Sequence, residues 1–393
     1  MGLNSHPRMP RGKKVKTVTG TEIPNQKRER TQSVGLGAIV VIGAEFEGVR
    51  SSAPLGSERE RPLAEPLACI DVLGRSMTER TVERFVRAGV EVISVLVPVE
   101  MAHMVQPRSI SFENLKIQVV ADVSSAVTQK LGDFSRDGVE HAFIVCASVY
   151  TETDLLDLFY FHREARQAAT RALDSEGPLN LWVVDCAKAY HTDLEGLLAQ
   201  AEGTAASYFI RDYVNRLTHP RDLRRLVSDA LRGRCAMRPS GVELKPGIWV
   251  DEGAEIHRRA RVVAPAYIGR GSKVLEDTLI TRCSNIERGC YVDYGTVIED
   301  SSILANTHVG IWLDVCHAVA NGNKLLSLAR NVTLEISDRS IMRTISSVRE
   351  ESRNNNLDFY EAQQVITELD QQEQTVEPRT SKAWQFGANL IQG

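Results

Sequence analysis

Three of the nine histidines, His257, His308 and His317, lie between residues 250 and 320. Imidazole exchanges protons near neutral pH, so a histidine held against a nucleophile is a candidate general base. Seven cysteines at 69, 146, 186, 235, 283, 290 and 316 form no C-x-x-C pair. Cys69, Cys146 and Cys186 fall in apolar runs, so the thiols are expected to be free, mostly buried and in a reducing cytoplasm. Two chain positions follow apolar runs directly: the loop after Ile42 and the residues after Cys146. Ligands of parallel sheets sit beyond the C-terminal ends of strands, which marks both positions.

Two of these histidines, His257 and His308, belong to a repeat. Read six residues at a time from Val250, the chain gives ten hexads: VDEGAE, IHRRAR, VVAPAY, IGRGSK, VLEDTL, ITRCSN, IERGCY, VDYGTV, IEDSSI and LANTHV. The first position is aliphatic throughout, from Val250 to Leu304, and the fifth is small until His308. An antiparallel sheet alternates with period two and does not hold period six over such a length. The pattern predicts a left-handed parallel β-helix: aliphatic residues fill a triangular interior, small residues sit near the corners, and backbone groups pair from coil to coil. At about 18 residues per coil the hexads make roughly three coils. Many hexapeptide-repeat proteins are acyltransferases with a histidine general base between subunits, which makes His257, His308 and His317 candidates. Oligomer contact or regulation is the other role of such a domain.

Residues 35–235 read as α/β. Strand-like runs LGAIVVI (36–42), VEVISVLV (90–97), KIQVVA (116–121), HAFIVC (141–146) and LNLWVVD (179–185) alternate with helical patterns. One helix is predicted over Ser76–Ala88, with Met77, Val82, Phe85 and Val86 on one side, and a longer one over Thr153–Leu173. This alternation predicts a mostly parallel, Rossmann-like doubly wound sheet. The organisation is then a basic tail at 1–34 with eight Lys/Arg and two Glu, the α/β domain at 35–235, the β-helix at 238–341, and a C-terminal helix and tail at 342–393. The tail composition predicts disorder. Beyond the β-helix, Leu357, Tyr360, Val365 and Leu369 have near-helical spacing, and Trp384, Phe386, Leu390 and Ile391 form a terminal apolar cluster. A net charge of −4 gives no global argument for nucleic acid, and no apolar run is long enough to span a membrane. The expected location is cytoplasmic.

The stretches at 65–97, 153–173, 218–234 and 246–274 resemble the sugar-1-phosphate nucleotidyltransferases. The likeness is to the mannose-1-phosphate guanylyltransferase and glucose-1-phosphate adenylyltransferase type, which carries a C-terminal β-helix. It covers roughly residues 35–335. The resemblance implies attack of a sugar 1-phosphate on a nucleoside triphosphate with release of pyrophosphate, a reaction run by positioning and charge neutralisation.

Three elements carry that chemistry in the family, and all three depart here. The glycine-rich loop G-G-x-G-T-R-L-x-P-L is matched by GAEFEGVRSSAPL, in which Gly43, Gly48 and Arg50 align only around extra residues, and Glu45 and Glu47 occupy the phosphate's place. The lysine of P-K-P-L is Glu65. Of the two metal-binding aspartates, the first is matched by Ser148 and the second, within Tyr213–Pro220, by Arg216. Losing one preorganised charge-stabilising group costs ~10²–10³ in rate, so three departures leave little of the reaction. The implied remnant nucleotide site is Gly43, Gly48, Arg50 and Glu65, with no catalytic residue and no metal ligand. Mg²⁺ would be needed only by an active enzyme. The leading expectation is a non-catalytic or regulatory pyrophosphorylase-like protein of nucleotide-sugar or polysaccharide biosynthesis. Its expected partners are itself or an active paralogue, with a nucleotide or nucleotide sugar as ligand. An active nucleotidyltransferase and a hexapeptide acyltransferase are the alternatives.

Overall fold

The computed structural model describes residues 35–42, 68–102, 114–147, 149–191 and 207–345, all within one compact unit, Gly35–Gly393. The basic tail at 1–34 and the segment from 346 onward lie outside the described residues. No helix among the described residues is long and apolar enough to cross a membrane.

The α/β part opens with β1 (Gly35–Val41), a run buried on both faces, as a central strand requires. Helix α1 (Met77–Arg87) starts at a capping box in which Ser76 and Glu79 satisfy each other's backbone N–H groups. It buries Met77, Val82 and Phe85, while Val86 is turned outward. Then follow β2 (Val92–Pro98), β3 (Leu115–Val120), α2 (Val123–Arg136), β4 (Val139–Cys146), the two-residue β5 (Tyr150–Thr151) and α3 (Leu155–Ala165). The helix expected over Thr153–Leu173 is cut short. Arg166 adopts a left-handed conformation at φ 52° and ends α3, and Ala169–Asp174 becomes strand β6. Buried Thr170 and Arg171 explain the override: Thr170 binds His162, and the Arg171 guanidinium lies 4.9 Å from the Trp182 ring. Strands β7 (Gly177–Asp185), β8 (Ser207–Phe209) and β9 (Val214–Asn215) and helix α4 (Pro220–Leu231) complete this part.

Seven strands form one mixed sheet in the order β8-β6-β7-β4-β1-β2-β3. Strands β3, β2, β1 and β4 are parallel neighbours, whereas β7 runs antiparallel to both β4 and β6. The C-terminal ends of β1, β4 and β6 therefore share one sheet edge.

The rest is strand-rich. Strand β10 (Val242–Lys245) pairs antiparallel with Ile248–Val250, and the chain then feeds three parallel ladders. Val250 pairs with Ile268, Ile256 with Val274 and Val262 with Ile280, each eighteen residues on. Interior side chains Ile268, Val274, Ile280, Ile286, Val292 and Ile298 are buried. The hexad register breaks after Ile298. Ile286 pairs with Ile303, Val292 with Val309 and Ile298 with Val315, seventeen residues on. The corner at Asp300 (φ 43°) is one residue shorter, and so is the corner below it at His317 (φ 49°). Consequently Ile303 rather than Leu304 enters the interior, and Ser301 and Thr307 rather than Ser302 and His308 take the small position. The hydroxyls at that position tie successive turns together: Ser272 donates to Glu287 O (2.7 Å), Thr296 to Gly310 O (2.6 Å) and Ser301 to Val315 O (3.1 Å). Strands β11 (Lys324–Ser327) and β12 (Val332–Glu335) extend the first ladder as an antiparallel hairpin.

The two parts share a core. Val72, Leu73 and Met77 and the apolar side of α4 (Leu223, Leu226, Val227) pack with Tyr267, Leu304, Val319 and Leu326 of the ladders.

Candidate functional site

The sequence directs attention to the edge where β1, β4 and β6 end. Gly43, Gly48, Arg50, Glu65 and Ser148 lie outside the described residues. Arg216 is described, and its position follows from local chemistry. Strand β9 pairs with β5, with Asn215 opposite Tyr150, which brings the next residue to the segment just beyond the end of β4. Asn215 is fully buried and holds the following turn: its Nδ2 donates to Asp222 O (2.9 Å), and its Oδ1 accepts from Leu217 N (3.1 Å). Asp222 then accepts from Thr218 N and His219 N, and Pro220 begins α4.

From that turn the Arg216 guanidinium reaches the β6–β7 hairpin. Its Nε donates to Asp174 Oδ2 (3.2 Å) and its Nη2 to Asp174 Oδ1. Nη1 donates to Pro178 O (3.0 Å) and Nη2 also to Gly177 O (2.9 Å). The planar donor fork is filled by one carboxylate and two carbonyls, with Glu176 Oε2 3.5 Å away. The group is an internal tie at the sheet edge, spent on its own hairpin.

A second polar cluster lies where the two parts meet. Glu287 projects from the first ladder and is fully buried. Its Oε1 accepts from Leu73 N (2.8 Å) and Asn285 Nδ2 (2.7 Å), and its Oε2 accepts from Gly74 N (2.9 Å). Gly74 has φ 89°, and a Cβ there would meet the Tyr267 hydroxyl at 2.3 Å, so the close approach needs glycine. Burial and the neighbouring Asp71 push the Glu287 carboxyl up to about 7, outweighing the three donors. Asp71 itself pairs with Arg288 at 2.5 Å.

From the other side α4 sends in Arg224, also buried. Its Nη1 donates to Asn285 Oδ1 (3.0 Å) and Ser302 Oγ (2.9 Å), and its Nη2 to Cys283 O (3.1 Å) and Asp300 Oδ1 (2.9 Å). Asp300 Oδ2 meets His317 Nδ1 at 2.7 Å. Burial works to raise the Asp300 carboxyl, but Arg224 and His317 together hold it below the ordinary carboxylate range. Leu73, Glu287, Asn285, Arg224, Asp300 and His317 thus form one hydrogen-bonded chain across the junction. The corners one residue short of the repeat are those that Arg224 and His317 occupy.

The three candidate histidines are not assembled together. His257 is exposed, and its Nδ1 accepts from Arg259 N (3.3 Å). His308 is buried, stacks on Tyr291 (5.5 Å between centroids), and is shifted down by burial and by Arg343. His317 has Asp300 Oδ2 at 2.7 Å from its Nδ1, and His308 Nε2 lies 3.6 Å from Asp293 Oδ2. Sequence reading missed Arg224 and Glu287. Arg224 left a signal, a charged residue on the apolar stripe of Leu223, Val227 and Ala230. Glu287 left none. The chain matches no protein-family model and no curated protein.

Proposed function

We propose that this chain is a non-catalytic relative of the sugar-1-phosphate nucleotidyltransferases, with a Rossmann-like half carried on a left-handed parallel β-helix. It acts in the cytoplasm as a binding or regulatory subunit of nucleotide-sugar metabolism, alone or with an active paralogue. The observation that carries this reading is Arg216. At the position matching a metal-binding aspartate stands a cation whose donors are filled by Asp174, Gly177 and Pro178. A guanidinium there repels a divalent cation and cannot ligate one. The charge reversal at Glu65 and the absence of a carboxylate at Ser148 point the same way. The fixed junction supports a regulatory role, since Glu287 binds the backbone turn at Leu73–Gly74 that leads into α1.

Calorimetric titration with nucleoside triphosphates and nucleotide sugars, with and without Mg²⁺, tests the reading. Any binding is expected to be indifferent to Mg²⁺. Triphosphate affinity raised about tenfold or more by Mg²⁺ would overturn it.

A further inference from the structure

The corner between the second and third ladders repeats once per coil. Asp277, Gly295 and Trp312 take the same left-handed position there, at φ 56°, 68° and 52°, and Arg259 precedes them one coil earlier. A tryptophan in that position is an outlier, because a bulky side chain crowds the backbone. The strain is not offset by burial. Trp182 is buried and Trp249 half-buried, but Trp312 is 68% exposed. Its ring is nevertheless held in place. It lies against Gly295, where a Cβ would meet it at 2.8 Å. It also stands edge-to-face with Tyr294, with 5.1 Å between centroids and 87° between planes. A strained side chain that is fixed yet left in water points to a ligand rather than to packing.

Polar groups are fixed beside the indole. Arg259 Nε donates to Asp277 Oδ1 (3.0 Å), its Nη2 to Asp277 Oδ2 (2.6 Å) and its Nη1 to Glu276 Oε2 (3.2 Å). The Tyr294 hydroxyl faces the same Asp277 carboxylate, which holds its pKa up. Two carboxylates against one guanidinium leave the ridge negative, which disfavours phosphates. At about 4.8 Å per coil, the ridge from Arg259 to Trp312 runs for about 14 Å. The exposed part of Trp312 is roughly 100–170 Å². Even with Ile311, 58% exposed beside it, the strip falls far short of the about 800 Å² that each partner of a stable protein pair contributes. An uncharged pyranose fits both features. Its C–H face covers an indole, and its rim of hydroxyls can donate to carboxylates and accept from a guanidinium.

We propose that this ridge, Trp312 with Tyr294, Asp277 and Arg259, binds a neutral oligosaccharide laid along the coils, with one sugar ring stacked on Trp312. The site is separate from the edge of the α/β sheet and does not depend on any nucleotide-related reading of that half.

Calorimetric titration of the full chain with maltohexaose, cellohexaose and mannohexaose, without nucleotide, tests the proposal. At least one should bind with a millimolar or tighter Kd. Trp312→Ala should weaken that binding about tenfold or more with an unchanged circular dichroism spectrum. Trp312→Phe, which keeps an aromatic face, should weaken it less. The sugar should shift the tryptophan fluorescence of the unmodified chain, and Trp312→Phe should remove that shift while the heat of binding persists. No binding of any of the three sugars overturns the proposal. So does an affinity that Trp312→Ala leaves unchanged, which would put the sugar elsewhere. A light-scattering mass above 43.6 kDa that falls to the monomer value in Trp312→Ala would give the ring to a second copy of the chain, and overturns it as well.

Discussion

Arg224 of α4 and Asn285 of the first ladder, 61 residues apart in sequence, meet at 3.0 Å in the buried junction. Through that contact the α/β half is keyed to one face of the ladders. Arg224 also satisfies Ser302, Cys283 and Asp300, so its removal strands several buried groups at once. Arg224→Ala is expected to cost about 3–5 kcal/mol of unfolding free energy in urea titration. Asn285→Ala should cost less in that background than alone, because the two share one network.

Glu287 makes the junction sensitive to pH. Its folded-state value of about 7 lies above the ordinary 4.5, so between these values the folded chain holds a proton that the unfolded chain has released. Its contribution is complete below pH 4.5 and is lost as pH rises through 7. The loss is on the order of 3 kcal/mol. Urea midpoints measured from pH 5 to pH 8 should fall for the unmodified chain. They should be flatter for Glu287→Gln, which is less stable at low pH because its amide N–H₂ faces donors. A variant whose midpoints fall as steeply as the parent's would show that another group titrates.

Ser301 donates to Glu299 O (2.7 Å) and Val315 O (3.1 Å) and accepts from Ala318 N (3.0 Å), so it stitches the short corner to its neighbours. Ser301→Ala is expected to lower stability by about 1–3 kcal/mol by leaving Ala318 N without its partner. Inserting a glycine between Asp300 and Ser301 should be worse. It restores the eighteen-residue step but moves Asp300 away from Arg224. An insertion with parental stability would contradict the role given to this corner.

Arg216→Ala should destabilise the β6–β7 hairpin, since Asp174 is largely buried and loses its partner. The expected cost is about 1–3 kcal/mol by thermal or urea unfolding. Binding of any nucleotide should be unchanged, because the guanidinium is committed within the chain.

The ladder region was legible for a physical reason: its interior repeats locally, so each aliphatic first position from Val250 to Ile298 announces itself. The reading slipped at Asp300 because the next hexad, LANTHV, also begins with an aliphatic residue, and only the fold separates Leu304 from Ile303. Leu304 belongs instead to the junction core with Leu223 and Leu226. The long helix drawn from Thr153 failed because its second half turns back at Asp174–Gly177 and pairs antiparallel with β7 inside the sheet, a burial that helical propensity does not record. Thr170 and Arg171 are buried there, Thr170 against His162 of α3 and Arg171 with its Nε donating to Leu179 O. The junction was invisible for a different reason: Leu73 and Glu287 are separated by 214 residues, and neither carries a motif. At the sheet edge Arg216 had been singled out from the sequence, but its partner Asp174 could be found only once the hairpin had brought it there.

The proposed loss of the nucleotidyltransferase reaction is tested most directly by pyrophosphate release. Pyrophosphate release can be followed continuously with the full chain, Mg²⁺, each common nucleoside triphosphate and a panel of sugar 1-phosphates. No release above the protein-free rate is expected with any pair. Robust turnover with one pair that disappears in Arg50→Ala would contradict the proposal, since a working phosphate site would then survive in the loop after β1.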